Sequence, residues 1–318
     1  MLISKNASKT LSEAISSQEK TYCSGLFLSA RWFVVSQVAE SGTHVIIMPD
    51  KESAEYCSAD LYSLVEGDRV FFLPDSGKNV ERSNYKSSLG VQRTSAVGSI
   101  LANAANASLL YVVTYPEALE EPIPGKAKIA GAALVLKKDE EMGRDHIVST
   151  LLSQNFARVD FVSAPGQFAV RGAVIDIFSY SNNDPFRISF FGDEIEKINV
   201  FDCNTQLSKE ERESVEIFPD IIASDTESED GMSILEILPE NTVVWLDSSD
   251  MYKGKNFFSS LEKFHRVFLE IPLSEQGVEP IKFSITPQPV FNKNFELLSE
   301  DIRSRMEHGF RVQIYGEK

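Results

Sequence analysis

The stretch APGQFAVRGAVIDIFS (residues 164–179), followed by PFRISFFGDEIEKINVFD (185–202), decides how the middle of this chain folds. With ARVDFVS (157–163) ahead of it, the region reads as three closely spaced extended segments: 157–163, 168–179, and 186–191 running through Gly192-Asp193 into 194–201. Ala164-Pro165-Gly166 and the run from Ser181 to Pro185 supply the turns between them. Gly-Asp between two strands is a hairpin signal. The result is a small antiparallel sheet with few helices, hence a separate domain. Side chains alternate faces along a strand. Ile188 and Phe190 therefore point one way, and Arg187, Ser189 and Phe191 the other. In the preceding segment, Phe168, Val170, Gly172 and Val174 share one face, and Ala169, Arg171 and Ala173 the opposite one.

The flanks have another rhythm. HVIIMP (44–49), RVFFLP (69–74) and LLYVVT (109–114) are short apolar strands. Between them lie helical stretches at 51–67, with Tyr56, Leu61 and Leu64 in an apolar stripe, and at 87–107. Apolar strands separated by helices indicate a parallel sheet covered on both faces. A strand is expected over 129–138 and a helix over 144–154. After the central domain, TVVWLD (242–247) is another buried strand, 259–270 is a helix or a strand, 295–309 is a helix, and FRVQIYG (310–316) a strand. The chain stops soon after that strand, and an excised piece of a longer protein is expected.

Composition narrows the function. The 318 residues are 42% hydrophobic and 25% charged, ordinary for a folded domain pair or trio. No apolar run reaches the roughly 18–20 residues of a membrane helix. The N-terminus has no secretory core, so a cytoplasmic protein is expected. Three scattered cysteines and four scattered histidines form neither a disulfide framework nor a zinc site. A formal charge of −16 argues against this segment as a main DNA-binding surface. Much of the charge falls between Lys209 and Asp250, including SDTESEDG (224–231), which reads as a solvated loop.

The central stretch is similar to the second domain shared by UvrB and the transcription-repair coupling factors. The common pattern is approximately PG-x-[FY]-x-x-RG-x-x-x-D-[IL]-F, then R-[IL]-x-[FL]-F-x-D-E-[IV], then [FL]-D. Looser similarity covers VVTYPEAL (112–119) and SILEILPENTVVWLDSSD (233–250). The resemblance implies an α/β chain in which a degenerate P-loop, helicase-like parallel-sheet domain is split into 1A (1–118) and 1B (213–318). A small antiparallel α+β domain 2 (119–212) is inserted between them.

It also implies an eroded ATP site. The family's phosphate loop, GxxxxGK[ST], cradles phosphate on backbone N–H groups, neutralises it with lysine and holds magnesium by a hydroxyl. Here the matching stretch is Gly25 to Trp32. Ala30 replaces the second glycine, Arg31 the lysine and Trp32 the Ser/Thr. In the second motif, Asp247 is retained and Ser248 stands in place of the glutamate that polarises water. The expectation is a module with no catalytic residues, no cofactor and no metal. ATP and magnesium belong to a motor elsewhere in the parent chain.

The family's DNA-clamping hairpin is matched by FLPDSGKNVERSNYKSSLG (72–90), which carries one aromatic, Tyr85, after Phe72 and is too poor in aromatic surface to stack on bases. What the resemblance leaves is a binding surface for UvrA, carried by Arg171, Arg187 and Phe191. Two arginines around an aromatic combine forked donors with apolar contact. The alternative is that both arginines make local ion pairs, with Asp176, Asp193 or Glu194, and that Phe191 lies in the core. On the first reading the parent is an ATP-dependent DNA translocase that reaches RNA polymerase and DNA through its other parts. The other class is a UvrB-type excinuclease subunit with its own nucleotide-dependent helicase activity.

Overall fold

The protein, seen here in a computed structural model, is described over residues 5–17, 19–65, 69–77, 83–182, 184–220, 231–275, 277–285, 290–310 and 312. Helix α1 (Lys5–Ser17) leads into β1 (Lys20–Ser24), α2 (Ala30–Val38), β2 (Thr43–Ile47), α3 (Lys51–Leu64), β3 (Val70–Phe72), α4 (Ser83–Asn106) and β4 (Leu110–Thr114). Short helices α5 (Pro116–Glu120) and α6 (Lys126–Ala132) cross to β5 (Leu134–Lys137) and α7 (Arg144–Ser153). Strands β6 (Ala157–Arg158), β7 (Gln167–Arg171), β8 (Val174–Phe178), β9 (Phe186–Phe191), β10 (Glu194–Phe201), β11 (Ser208–Arg212) and β12 (Ser214–Ile217) follow. The chain returns through β13 (Val243–Leu246), β14 (His265–Phe268), β15 (Ile281–Lys282) and α8 (Phe295–Glu307).

Seven strands form one wholly parallel sheet in the order β15-β1-β14-β13-β2-β4-β3. Its central strands β2, β4 and β13 are buried on both faces, as their unbroken apolar runs predict, while β1, β3 and β15 are only partly buried. Ile46, Tyr111, Val113, Trp245 and Val267 face Leu11 of α1, Val34 and Val35 of α2 and Leu61 of α3. Their neighbours Val45, Ile47, Val112, Val244 and Leu246 face Ala96, Val97 and Ile100 of α4. Each fully buried Ile, Val or Leu contributes roughly 1.5–3 kcal/mol relative to exposure. Helix α3 starts at Asp50, whose carboxylate accepts from the Ser53 amide at 2.8 Å. Its buried stripe is Ala54, Cys57 and Leu61, whereas Tyr56, expected in that stripe, is exposed.

The second sheet is six-stranded, β11-β10-β9-β8-β7-β6, antiparallel except for the β6–β7 pair. One face, carrying Phe168, Ile175, Ile188, Phe190, Ile195 and Ile198, packs on Ile147 and Leu151 of α7 and on a two-stranded sheet of β5 and β12. The segment 168–179, expected as one strand, is two. Gly172 adopts φ +60°, a left-handed geometry that costs an L side chain strain, and turns the chain so that Arg171 pairs with Val174. The strand expected over 129–138 begins as helix. Residues 126–132 close helical hydrogen bonds, Ile129 to Gly125 among them, and only Leu134–Lys137 is extended. The alanines of IAGAA favour the helix, outweighing its one glycine.

The strand expected over 157–163 is ladder-bonded only at Ala157 and Arg158, and 259–270 resolves into a short 3-10 turn followed by β14. The acidic loop at 224–230 and most of the expected strand 310–316 lie outside the described residues. So do residues 78–82 of the aromatic-poor stretch, whose C-terminal half is the start of α4.

Candidate functional site

The antiparallel sheet brings the three expected binding residues to one face. The register sets Ala169 opposite Asp176, Asp176 opposite Arg187, and Arg187 opposite Asn199. One pleat towards the β7–β8 turn, Arg171, Val174, Ser189 and Lys197 form the next row. Phe191 is two residues past Ser189, on the same side, at the tip of β9. That face stays open because its own apolar cluster is small: Val162, Ala169, Phe178 and Phe201.

Asp176 organises this face. It is buried, and both guanidiniums converge on it. Arg187 donates from Nε to Oδ1 at 2.8 Å and from Nη2 to Oδ2 at 3.0 Å, and Arg171 donates from Nη2 to Oδ2. The Asp176 hydrogen bonds hold the Arg187 guanidinium above its usual pKa. Gln206, itself at positive φ, accepts from Arg187 Nη2 at 3.0 Å. The rings of Phe201 and Phe161 lie under the two cations, 4.2 Å from Arg187 Cζ and 5.1 Å from Arg171 Cζ. The arginines thus make local ion pairs and still reach the surface, with Arg171 38% exposed and Arg187 22%. Phe191 is not core: it is 78% exposed. Two more large apolar side chains stand open nearby: Phe161, whose ring lies against Arg171, and Leu207, next in the chain to Gln206. Sequence reasoning missed both, because Phe161 was placed in a strand and Leu207 in no element.

The second candidate place is the C-terminal edge of the parallel sheet. Gly25 follows β1 at φ +77°, and a Cβ there would sit 2.1 Å from the Phe283 carbonyl oxygen. Backbone packing demands glycine at this position without any phosphate. Ala30 opens α2 and is buried; Trp32 is buried in the core between α1 and the sheet. Arg31 reaches across the sheet edge to Asp247, the residue directly after β13, and donates from Nη1 to Oδ1. Glu270 Oε1 lies 3.9 Å from the same nitrogen. Burial pushes the Asp247 carboxyl up in pKa, and Arg31 pulls against that shift. Ser248, in left-handed geometry, points its hydroxyl to Glu270 at 3.4 Å. The structure thus gathers Gly25, Arg31, Asp247 and Ser248 at one sheet edge and turns Trp32 inward. A carboxylate already satisfied by an internal cation is a poor magnesium ligand. Among the described residues, no group of three or more His, Cys, Asp or Glu side chains is placed to hold a metal ion, and no helix is long and apolar enough to cross a membrane.

The open arginine–aromatic face belongs to a region with a defined class: residues 134–221 match the UvrB interaction domain family. The chain is similar to the transcription-repair-coupling factor of Escherichia coli (strain K12), 39% identical over 89 residues, 28% of this chain and 8% of that protein. It is 28% identical to the transcription-repair-coupling factor of Bacillus subtilis (strain 168) over 198 residues, 61% of this chain and 16% of that one. The UvrABC system protein B of Chlorobium phaeobacteroides (strain BS1) is 35% identical over 127 residues, 40% of this chain and 18% of that protein. The chain therefore spans less than a fifth of each of these relatives.

Proposed function

We propose that this chain is the UvrB-like front part of a transcription-repair coupling factor, a non-catalytic module that docks UvrA. In this reading the chain comprises domain 1A (1–118), domain 2 (119–212) and domain 1B (213–318). The parent protein carries the ATP-driven DNA translocase and the contacts to RNA polymerase and DNA, and it brings the excision machinery to a stalled polymerase. One observation carries the reading: Arg171, Arg187 and Phe191 share an exposed sheet face inside the region matching the UvrB interaction domain. Cations preset by a shared carboxylate beside a bare aromatic suit a protein partner, since arginine and aromatic side chains dominate interface energetics.

The same geometry speaks against a nucleotide-driven role for these residues. A lysine and a magnesium-binding hydroxyl would have to replace an arginine paired with Asp247 and a tryptophan built into the core. No ATP or magnesium requirement is therefore proposed for this segment, and the UvrB-type helicase reading is set aside. Titration calorimetry of the chain with purified UvrA tests the docking role. Binding is expected, with Arg187→Ala and Phe191→Ala each weakening it by about 1–3 kcal/mol, as hot-spot truncations do. Unchanged affinity in both variants removes the proposal.

A further inference from the structure

The three residues at the centre of the docking face cover too little ground. Arg171 and Phe191 lie on β7 and β9, two strand spacings apart, or roughly 10 Å. A stable protein–protein contact buries about 800 Å² on each partner, a patch roughly 30 Å across. The chain offers more apolar surface at either end of this row. Phe161, in the segment after β6, stacks on the Arg171 guanidinium and is 63% exposed. At the opposite end, Leu207 precedes β11 and is 68% exposed, next to the Gln206 that holds Arg187. The row Phe161, Arg171, Asp176, Arg187, Gln206, Leu207 is continuous through these contacts and the chain itself. From β7 to β11 alone it crosses four strand spacings, about 20 Å.

The chemistry along that row is specific. Arg187 spends its fork on Asp176 and Gln206. Arg171 gives one of its five N–H groups to Asp176, and its remaining donors sit beside an aromatic ring at the surface. Two guanidiniums on one carboxylate leave one positive charge uncompensated within the triad, in a chain whose net charge is −16. Such a site favours a carboxylate held between apolar contacts.

We propose that the docking face runs from Phe161 to Leu207, and that its partner lays across it a surface in which a carboxylate meeting Arg171 is flanked by apolar side chains. This rests on the docking reading above, with UvrA as that partner. The test is calorimetric titration of UvrA with the full chain and with Phe161→Ala, Leu207→Ala, Arg171→Met and Leu152→Ala. Leu152 is exposed on α7, which packs on the other face of the sheet, and serves as the control. All four positions are at least partly exposed, and thermal unfolding checks that each variant is folded.

The expected result is a loss of at least about fivefold for Phe161→Ala and for Leu207→Ala, the threshold at which a residue counts energetically in an interface. Leu152→Ala stays at wild-type affinity. Wild-type binding weakens as salt rises, and Arg171→Met is both weaker and less salt-dependent. Wild-type binding with either alanine variant unaffected overturns the extension and leaves the central docking reading intact. A salt response unchanged by Arg171→Met overturns the carboxylate. No binding by the wild-type chain takes down the docking reading itself, and this inference with it.

Discussion

Arg31, the second residue of α2, donates to the carboxylate of Asp247, the residue directly after β13, and so ties the start of that helix to a strand end at the edge of the parallel sheet. Asp247 is 5% exposed and Arg31 20% at the side chain. Removing one partner of such a pair leaves the other charge buried and uncompensated. Arg31→Ala is therefore expected to lower stability by roughly 2–4 kcal/mol. Arg31→Ala with Asp247→Asn should recover part of that loss, because the stranded charge is gone. Urea unfolding of the two variants beside wild type reads this directly. A loss below about 0.5 kcal/mol in Arg31→Ala, the range of a neutral surface change, would mean the pair is not structural.

Trp32 sets a second expectation. It occupies the position where a nucleotide-binding loop places a hydroxyl, and it is buried among α1, α2 and the sheet. Trp32→Thr should cost about 3–5 kcal/mol through loss of a large core side chain. The reinstated hydroxyl should confer no magnesium-dependent ATP affinity, because Asp247 remains paired to Arg31. Thermal unfolding and titration with a fluorescent ATP analogue measure the two halves separately. Wild-type stability or measurable ATP binding in this variant would contradict the account of the site.

The middle of the parallel sheet was legible because β2, β3, β4 and β13 are short apolar runs and α3 and α4 beside them are long enough to read, whereas β1 and β15 are short and partly polar and gave no strand signal. The central hairpins were legible through Gly192-Asp193 and Pro185, yet Arg171-Gly172-Ala173-Val174 was not seen as a turn. A glycine between apolar residues is compatible with an unbroken strand, and only the register separates the two. The face assignment of Arg187 and Phe191 survived because β9 alternates without interruption, with Ile188 and Phe190 buried between half-buried Arg187 and Ser189 and exposed Phe191. Phe161 and Leu207 were illegible as surface residues: what places them is the path of an irregular segment and a loop, which follows from tertiary contacts. Likewise, nothing local shows that Arg93 is fully buried, satisfying the carbonyls of Pro74, Ala118 and Glu121. A partner for Arg31 at Asp247 lies 216 positions away in the chain and is visible only once β1 and β13 share a sheet.

Stability and docking should separate at the arginine–aromatic face. Phe191 is 78% exposed, so Phe191→Ala should leave stability within about 0.5 kcal/mol of wild type while weakening UvrA. Arg187→Ala should do both, since Asp176 is buried and loses a two-pronged partner. A stability loss of about 1–3 kcal/mol is expected for it, the cost of a stranded buried acceptor. Parallel urea and calorimetric series compare them. Equal stability losses in the two variants would place Phe191 in a packed environment and remove it from the docking face.

His44 gives the fold an acid sensitivity whose sign follows from its burial. Its Nδ1 accepts from the Trp245 indole N–H at 3.1 Å, and its Nε2 donates to the Ser41 carbonyl at 3.1 Å. Both nitrogens are used by the neutral ring. Burial lowers the His44 pKa to about 4, with the Ser41 hydrogen bond opposing the shift. The unfolded chain takes up this proton near the ordinary histidine value of about 6.5, so between about 6.5 and about 4 the unfolded state binds more protons than the native state. Stability is then complete above about 6.5 and falls as pH drops towards about 4, by up to about 1.4 kcal/mol per unit and about 3 kcal/mol over the window. Asp247 works in the opposite direction at the acid end, because its raised pKa favours proton uptake by the native state. The measurement is therefore a difference: urea unfolding against pH for wild type and for His44→Gln, which has nothing to titrate. The gap between the two curves should narrow steadily as pH falls through that window. A gap independent of pH would mean that His44 is not held neutral between Trp245 and Ser41.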